Sequence, residues 1–382
     1  MDLIYLDHNA TTPLDPEAFE AMRPWFTERF GNASAAYALG HLSDGAVVAA
    51  REQAAALVGC APAEIVFTSG GTESLNHAVR GVWEAFPTKR HLVTTAVEHP
   101  AVRALATWWK AQGGEVAEVG VDAEGRLDLA ALEAAVRPDT ALVAVMAANN
   151  ESGVLFPVAE IARRVKAKGA LFLVDATQAI GKVPVAAADW GADLLTLSGH
   201  KFHGPKGTGL LMIRRGVRLK PFMLGGSQER GRRGGTENVP GLVGLGKAAA
   251  LAQARLPQMD RVRHLRDALE TRLMAEVPEV RIHGSGAERL PNTSLVGFAG
   301  IEGEALQLKL AEQGICVSTG SACSTGMREP SHVLRAMQVP DTYARGTVRF
   351  SLGLGTTPVQ MTRLMDLLPG LVSELRQGLG RS

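Results

Sequence analysis

Between Glu64 and Met212 the chain alternates short runs of β-branched residues and leucine with alanine-rich stretches, and no other feature restricts its fold as much. The runs are Ile65 to Phe67, His91 to Val93, Ala141 to Met146, Ala170 to Val174, Asp193 to Leu197 and Gly209 to Ile213. Apolar runs without polar alternation belong to strands buried on both faces. Between them Leu129, Leu132 and Val136, and likewise Ile161 and Val165, recur at helical spacing. The pattern predicts an α/β fold, a mainly parallel sheet covered by helices on both sides. Ligands of such sheets sit beyond the carboxyl ends of the strands. Thr68, Asn150, Asp175 and Ser198 follow runs of this kind, so functional residues are expected there.

With 382 residues, 46% of them hydrophobic, the chain can bury a large core and is long enough for two domains. An alanine- and leucine-rich stretch from about Val239 to Met274 is interrupted by Pro257, and the domain junction is expected there. The expected division is 15–255 for the large domain, with 1–14 and 256–382 forming a smaller α+β domain that holds strands near Thr293–Val296 and Thr347–Ser351. Forty basic and 39 acidic side chains give a formal charge of +1, which favours neither nucleic acid nor an anionic membrane. The first residues lack a basic segment followed by a long apolar one, and no run is long enough to span a bilayer; a cytoplasmic protein is expected. Three cysteines (Cys60, Cys316, Cys323) without a CxxC pair exclude a disulfide framework and a four-sulfur zinc site within one chain. No HExxH occurs, and His200 and His203 have no nearby carboxylate ligands in sequence, so no metal site is expected. Gly241 to Lys247 imitates a phosphate-binding loop, but Ala248 follows without a hydroxyl for magnesium, and an apolar helix surrounds it.

Chemistry concentrates elsewhere. Lys201 lies in Ser198-Gly-His-Lys-Phe-His-Gly-Pro-Lys-Gly207, among small hydrogen-bonding neighbours just after an apolar run. A shielded amine there can lose its proton and form a Schiff base with an aldehyde, the role of the lysine that holds pyridoxal phosphate; a solvated loop lysine is the plainer alternative. Phe67-Thr-Ser-Gly-Gly-Thr-Glu-Ser74 reads as strand, glycine turn and helix start, in which Gly71, Thr72 and free amides would seat a phosphate. Asp175 ends the most hydrophobic run, where an unpaired carboxylate costs several kcal/mol, and a pyridinium nitrogen would serve as its partner. Gln178 and Asn150 are within reach of a ring oxygen, or are loop caps. His99 is placed to lie on a ring or to move a proton, and a satisfied loop histidine is the alternative. Val317 to Gly326 is a run of small residues around Cys323 with much backbone freedom, so this thiol is expected to travel; Cys60 and Cys316 are expected to be packed. Arg349 is a candidate clamp for a substrate carboxylate, or one half of a structural ion pair.

Taken together, Leu6–Thr12, Thr68–Ser74, Glu98–Val102, Asn149–Glu151, Asp175–Gln178, Ser198–Lys201, Gln228–Gly231, Gly235–Asn238, Gly320–Cys323 and Val348–Gly353 resemble the cysteine desulfurases of the iron–sulfur-cluster-assembly type, over nearly the whole chain. The resemblance implies a fold-type I pyridoxal 5'-phosphate enzyme with a mainly parallel seven-stranded sheet, acting as a homodimer. It would convert L-cysteine to L-alanine and pass sulfur to a cluster scaffold or a tRNA-thiolation carrier. By matching position Lys201 is the Schiff-base lysine, Asp175 the pyridinium partner, Gln178 and Asn150 the ring-oxygen contacts, and His99 the stacking residue. Thr72, Ser198 and His200 match phosphate ligands, Thr236 a phosphate contact from the other subunit, Arg349 the carboxylate clamp and Cys323 the persulfide-forming nucleophile. Ala33, Tyr37, His8, Ser227 and Leu354 depart from the family's usual proline, histidine, asparagine, glycine and arginine, which bears on the preference between cysteine and selenocysteine. Selenocysteine lysis or transamination would need no persulfide-forming cysteine, and a non-catalytic assembly scaffold would need neither Lys201 nor Asp175.

Overall fold

The computed structural model describes residues 3–319 and 330–379. A two-residue strand, β1 (Ile4–Tyr5), precedes the main sheet, whose strands are β2 (Ile65–Thr68), β3 (His91–Thr95), β4 (Glu115–Val119), β5 (Thr140–Met146), β6 (Leu171–Asp175), β7 (Leu194–Ser198) and β8 (Gly209–Ile213). They lie in the order β2-β8-β7-β6-β5-β3-β4. The pairs from β4 to β7 are parallel, and β8 runs antiparallel to both of its neighbours. The six apolar runs are therefore six of the seven strands. The seventh, β4, reads Glu-Val-Ala-Glu-Val and forms a half-exposed edge, where solvent on both faces tolerates Glu115 and Glu118 and no unbroken apolar run results.

The apolar runs are buried because both faces of the sheet are covered. Val143 and Val145 of β5 join the cluster on one side, with Ile161, Val165 and Leu245, while Leu142 and Ala144 join the cluster on the other, with Leu75, Val79 and Trp109. All seven residues of β5 are buried. The parallel strands of the centre thus all point their carboxyl ends to one edge, where Asp175 and Ser198 close β6 and β7.

A separate cluster unites Ile4 and Leu6 with Val262, Leu269, Phe298, Phe350, Leu364 and Leu368. Its antiparallel sheet is formed by β9 (Val280–His283), β10 (Thr293–Phe298), β12 (Ser318–Thr319) and β13 (Thr347–Ser351), while β1 pairs with β11 (Ile315–Cys316). Helices Val239–Arg255 and Met259–Glu276 lead into this region, separated by a short 3-10 turn at Leu256–Gln258 that contains Pro257. Proline cannot donate its backbone hydrogen and ends the first helix there. Among the described residues no helix is long and apolar enough to cross a membrane.

Candidate active site

At the carboxyl edge of the parallel strands lies a cleft of about 270 Å³, lined by Gly71, Thr72, Leu75, His99, Met146, Ala148, Asn150, Asp175, Thr177, Gln178, Ser198, His200 and Lys201. Its size is close to the lower end of small-molecule and cofactor sites, roughly 300–1,000 Å³. One wall is the start of helix Gly71–Ala85. Gly70 precedes it at φ 153° and ψ 179°, a conformation open to glycine alone, and a Cβ on Gly209 would come 2.6 Å from the Gly70 Cα. This backbone-to-backbone approach holds the helix start against β8. The Thr68 and Ser74 hydroxyls bond at 2.7 Å, and Ser74 Oγ donates to the Leu210 carbonyl at 2.9 Å, pinning the turn from below. Gly71, Thr72, Ser198 and His200 therefore meet around a helix N-terminus, which favours an anion. His200 is pulled down to about 4, by burial first and then by Lys201, Lys206 and Lys182, so it enters this seat as a neutral ring.

Across the cleft are an acid and an amine. Asp175 is 7% exposed, and its Oδ1 accepts from the Thr177 backbone at 3.0 Å and from Thr196 Oγ1 at 3.4 Å. Lys201 sits in the short 3-10 turn Gly199–Lys201 directly after β7. Its Nζ donates to the carbonyls of Asn9 (2.6 Å) and Ala10 (2.8 Å). Burial, reinforced by the Arg349 charge and opposed by Asp175 and Asp7, brings its pKa down to about 8. About a tenth of such amines are unprotonated at pH 7, against roughly one in three thousand at the ordinary lysine value, and only the unprotonated amine is a nucleophile.

His99 caps helix Pro100–Ala111, its Nδ1 accepting from the Ala101 backbone at 3.2 Å, which leaves the proton of the neutral ring on Nε2. Burial lowers its pKa, against the pull of Asp175 and with the help of Lys201, so the neutral ring is favoured. Gln178 and Asn150 form the remaining wall through Asn9. Gln178 Nε2 donates to the Asn9 carbonyl at 2.9 Å, and Asn9 Nδ2 donates to the Asn150 carbonyl at 3.2 Å. The set can accommodate a flat, anionic, aldehyde-bearing ring: an anion seat at one end, a carboxylate at another, a neutral imidazole and a nucleophilic amine.

Three expected site residues are not among the lining of this cleft. Arg349, on β13, donates through Nη1 to the Asn150 carbonyl at 2.8 Å and through Nη2 to Asp7 Oδ1 at 2.6 Å; the structural ion pair is present, one residue behind the wall. Thr236 lines a second cleft of about 250 Å³ with Phe67, Ser69 and Arg233. Cys323 lies outside the described residues; Ser318 of β12, the last strand before that segment, lies opposite Arg349. Cys60 is half-buried beside its own apolar helix end, with burial pushing its thiol up to about 12. Ala33, Tyr37, His8, Ser227 and Leu354 do not line the first cleft.

Sequence reasoning gave no role to Asn9, Glu98 or Lys182, although all three are buried against the site. Asn9 falls inside a motif, Leu6–Thr12, and that was the available signal. Nothing local marks Lys182, since Gly181-Lys-Val-Pro184 reads as an ordinary loop.

A family profile described as aminotransferase class V matches residues 4–364. A cysteine desulfurase of Trichormus azollae is 51% identical over 377 residues, covering 98% of this chain and 94% of that relative. Among solved structures, a NifS-like protein superposes with a TM-score of 0.92 at 39% identity, covering 98% of this chain and all of the other. SspA in complex with cysteine gives a TM-score of 0.80 at 33% identity, over 91% of this chain and 98% of that one.

Proposed function

The chain belongs to the aminotransferase class-V family, and from that premise we propose that it is a pyridoxal 5'-phosphate-dependent cysteine desulfurase. The observation that carries this reading is that Lys201, with its lowered pKa, and the Asp175 carboxylate open onto one cleft together with a helix N-terminus. When bound, pyridoxal phosphate supplies an aldehyde for the Lys201 amine and a protonated ring that withdraws electrons from the substrate's α-carbon. Gly71, Thr72, Ser198 and His200 would hold the phosphate, Asp175 would keep the ring nitrogen protonated, Gln178 and Asn150 would donate to the ring oxygen, and His99 would cover the ring. Arg349 takes the α-carboxylate of L-cysteine in exchange for its bond to the Asn150 carbonyl. Lys201 Nζ is the group that would carry the α-proton.

Sulfur leaves through Cys323. Its thiolate takes the substrate sulfur, so that an S–S bond forms as the C–S bond breaks. The β-carbon is reduced to the methyl of L-alanine while the transferred sulfur is oxidised to the sulfane level, and no outside electron donor is required. The persulfide then passes to an acceptor protein, a cluster scaffold or a tRNA-thiolation carrier. In this reading 15–255 is the cofactor-binding unit, 1–14 with 256–382 the unit that carries Cys323, and the enzyme works in the cytoplasm. A homodimer completes the site by bringing Thr236 of one chain to the cleft of the other. Phe19, Phe26, Phe30, Tyr37 and Leu42, exposed and close together in sequence, offer apolar surface that such a partner would cover.

The test is to incubate the purified protein with L-cysteine and to measure alanine and peptide-mapped persulfide together. Equimolar alanine and one added sulfur on Cys323 are expected. Alanine formed at the full rate by Cys323→Ser, with sulfide released, would remove the cysteine from the reaction.

A further inference from the structure

Lys182 is a buried amine to which the proposed chemistry gives no task. It is 7% exposed, and among the described residues no carboxylate pairs with it. Burying an amine without an anionic partner costs several kcal/mol, and an apolar side chain of similar length would pack there at no such cost. Both hydrogen bonds of its Nζ run to one residue, to the Gln178 side-chain Oε1 at 2.7 Å and to the Gln178 backbone carbonyl at 3.1 Å.

The consequence is geometric. A glutamine amide presents an acceptor at one end and two donors at the other, and nothing in its shape prevents it from turning over. With Oε1 held by Lys182, only Nε2 is left to face Asn9 and the cleft. Nε2 donates to the Asn9 carbonyl, the same carbonyl that accepts from Lys201 Nζ. Lys182, Gln178, Asn9 and Lys201 thus form a continuous chain that starts in the core and ends at the reactive amine. We propose that Lys182 is a positioning residue that locks the Gln178 amide with its N–H toward the cleft, so that Gln178 can only donate to the ring oxygen of the cofactor. Burial, with the nearby Lys201 and Arg349 charges, drives the Lys182 amine well below its usual pKa. Gln178 offers the Lys182 amine two oxygens, so both contacts act on the same residue.

This inference rests on the pyridoxal phosphate reading, and the experiment separates the two. Holoenzyme variants Lys182→Met, Lys182→Arg, Gln178→Ala and the Lys182→Met/Gln178→Ala pair are titrated by the visible absorption of the bound cofactor, with thermal melting recorded alongside. Loss of a donor to the ring oxygen leaves that oxygen more electron-rich, so the proton it shares is released at higher pH. An upward shift of the midpoint by about one pH unit, the worth of one hydrogen bond to a charged group, is expected for Lys182→Met and for Gln178→Ala. The pair should shift no further than Gln178→Ala, Lys182→Arg should stay closer to the parent than Lys182→Met, and Lys182→Met should melt at or above the parent temperature. A parental midpoint in Lys182→Met beside a shifted Gln178→Ala, or full additivity in the pair, overturns the role of Lys182. If Lys182→Met does not fold, Lys182→Leu takes its place, and a parental midpoint there beside a shifted Gln178→Ala likewise overturns it. Absence of any band that Lys201→Ala abolishes overturns the cofactor reading itself, and with it this one.

Discussion

The two clefts on either side of the first turn of helix Gly71–Ala85 are built in opposite ways. Gly71 and Thr72 face the first cleft, where Lys201, Asp175 and His99 converge from the ends of parallel strands within one chain. Glu73, the next residue, pairs at 2.9 Å with Arg233, which lines the second beside Thr236. The first brings together an amine, an imidazole and a carboxylate; the second is lined by hydroxyls, Asn238, Glu229, Glu237 and Arg233, without a lysine, histidine or cysteine. One chain therefore makes a nearly complete reaction site and, separately, a fragment that has no chemistry of its own. The difference supports the view that the fragment serves a neighbouring copy.

The largest effect that could break this contrast is at Lys201. Lys201→Ala should abolish the covalent visible band and all alanine formation, because no other amine lining the first cleft can replace it. Spectra and alanine assays on the same preparation check this. Retained turnover would mean that the two clefts are not divided as described.

Thr236 gives the next effect. On the proposed reading, Thr236→Ala removes a hydroxyl that would bond the phosphate, and it should weaken cofactor retention by about tenfold, the worth of one hydrogen bond to a charged group. Mixing decides which chain benefits. In a hybrid of Lys201→Ala and Thr236→Ala chains, a hydroxyl that acts across the interface leaves one site with both residues intact, and parental affinity returns in half the sites. A hydroxyl that acts within its own chain leaves no such site, and equilibrium dialysis would then find only weak binding.

The contrast also explains what could be read from the residues alone. Strands β5, β6 and β7 were legible because both faces are buried, so each is an unbroken apolar run, and their carboxyl ends marked Asp175 and Ser198. Strand β4 was not, because an edge strand half open to solvent admits Glu115 and Glu118, which interrupt the apolar run. Nor does an apolar run carry direction, so the antiparallel setting of β8 had no local signal. Lys201 stood out by its neighbours, whereas Lys182 and Glu98 owe their character to burial by segments distant in sequence. Arg349 was legible as a cation but not as one already bonded to Asp7, a residue 342 positions away.

The smallest expected effect sharpens the comparison through one glutamate behind each cleft. Glu98, beside His99, is fully buried; its Oε1 accepts from Thr95 Oγ1 at 2.8 Å and from the Met146 backbone at 3.0 Å, while Oε2 has no partner. Burial, with a further push from Asp175, raises it to about 8. Glu73 is shifted the other way: burial alone would raise it, but the bonds from Arg233 and Ser69 outweigh that and hold it below the usual carboxylate range. The native protein therefore keeps a proton on Glu98 that the unfolded chain sheds above its ordinary pKa, and the stability this group contributes falls as pH rises from about 4.5 to about 8. For Glu73 the contribution is present above the ordinary carboxylate pKa and is lost as pH falls below it. Glu98→Gln, which is uncharged at every pH, should melt close to the parent near pH 5 and a few degrees above it at pH 9. Glu73→Gln should melt below the parent at neutral pH and approach it under acid conditions, by a smaller margin because Glu73 is partly solvated. Parallel pH trends in the two variants would mean that both glutamates are charged in the native state, and the first cleft would then be backed by an anion instead of a neutral acid.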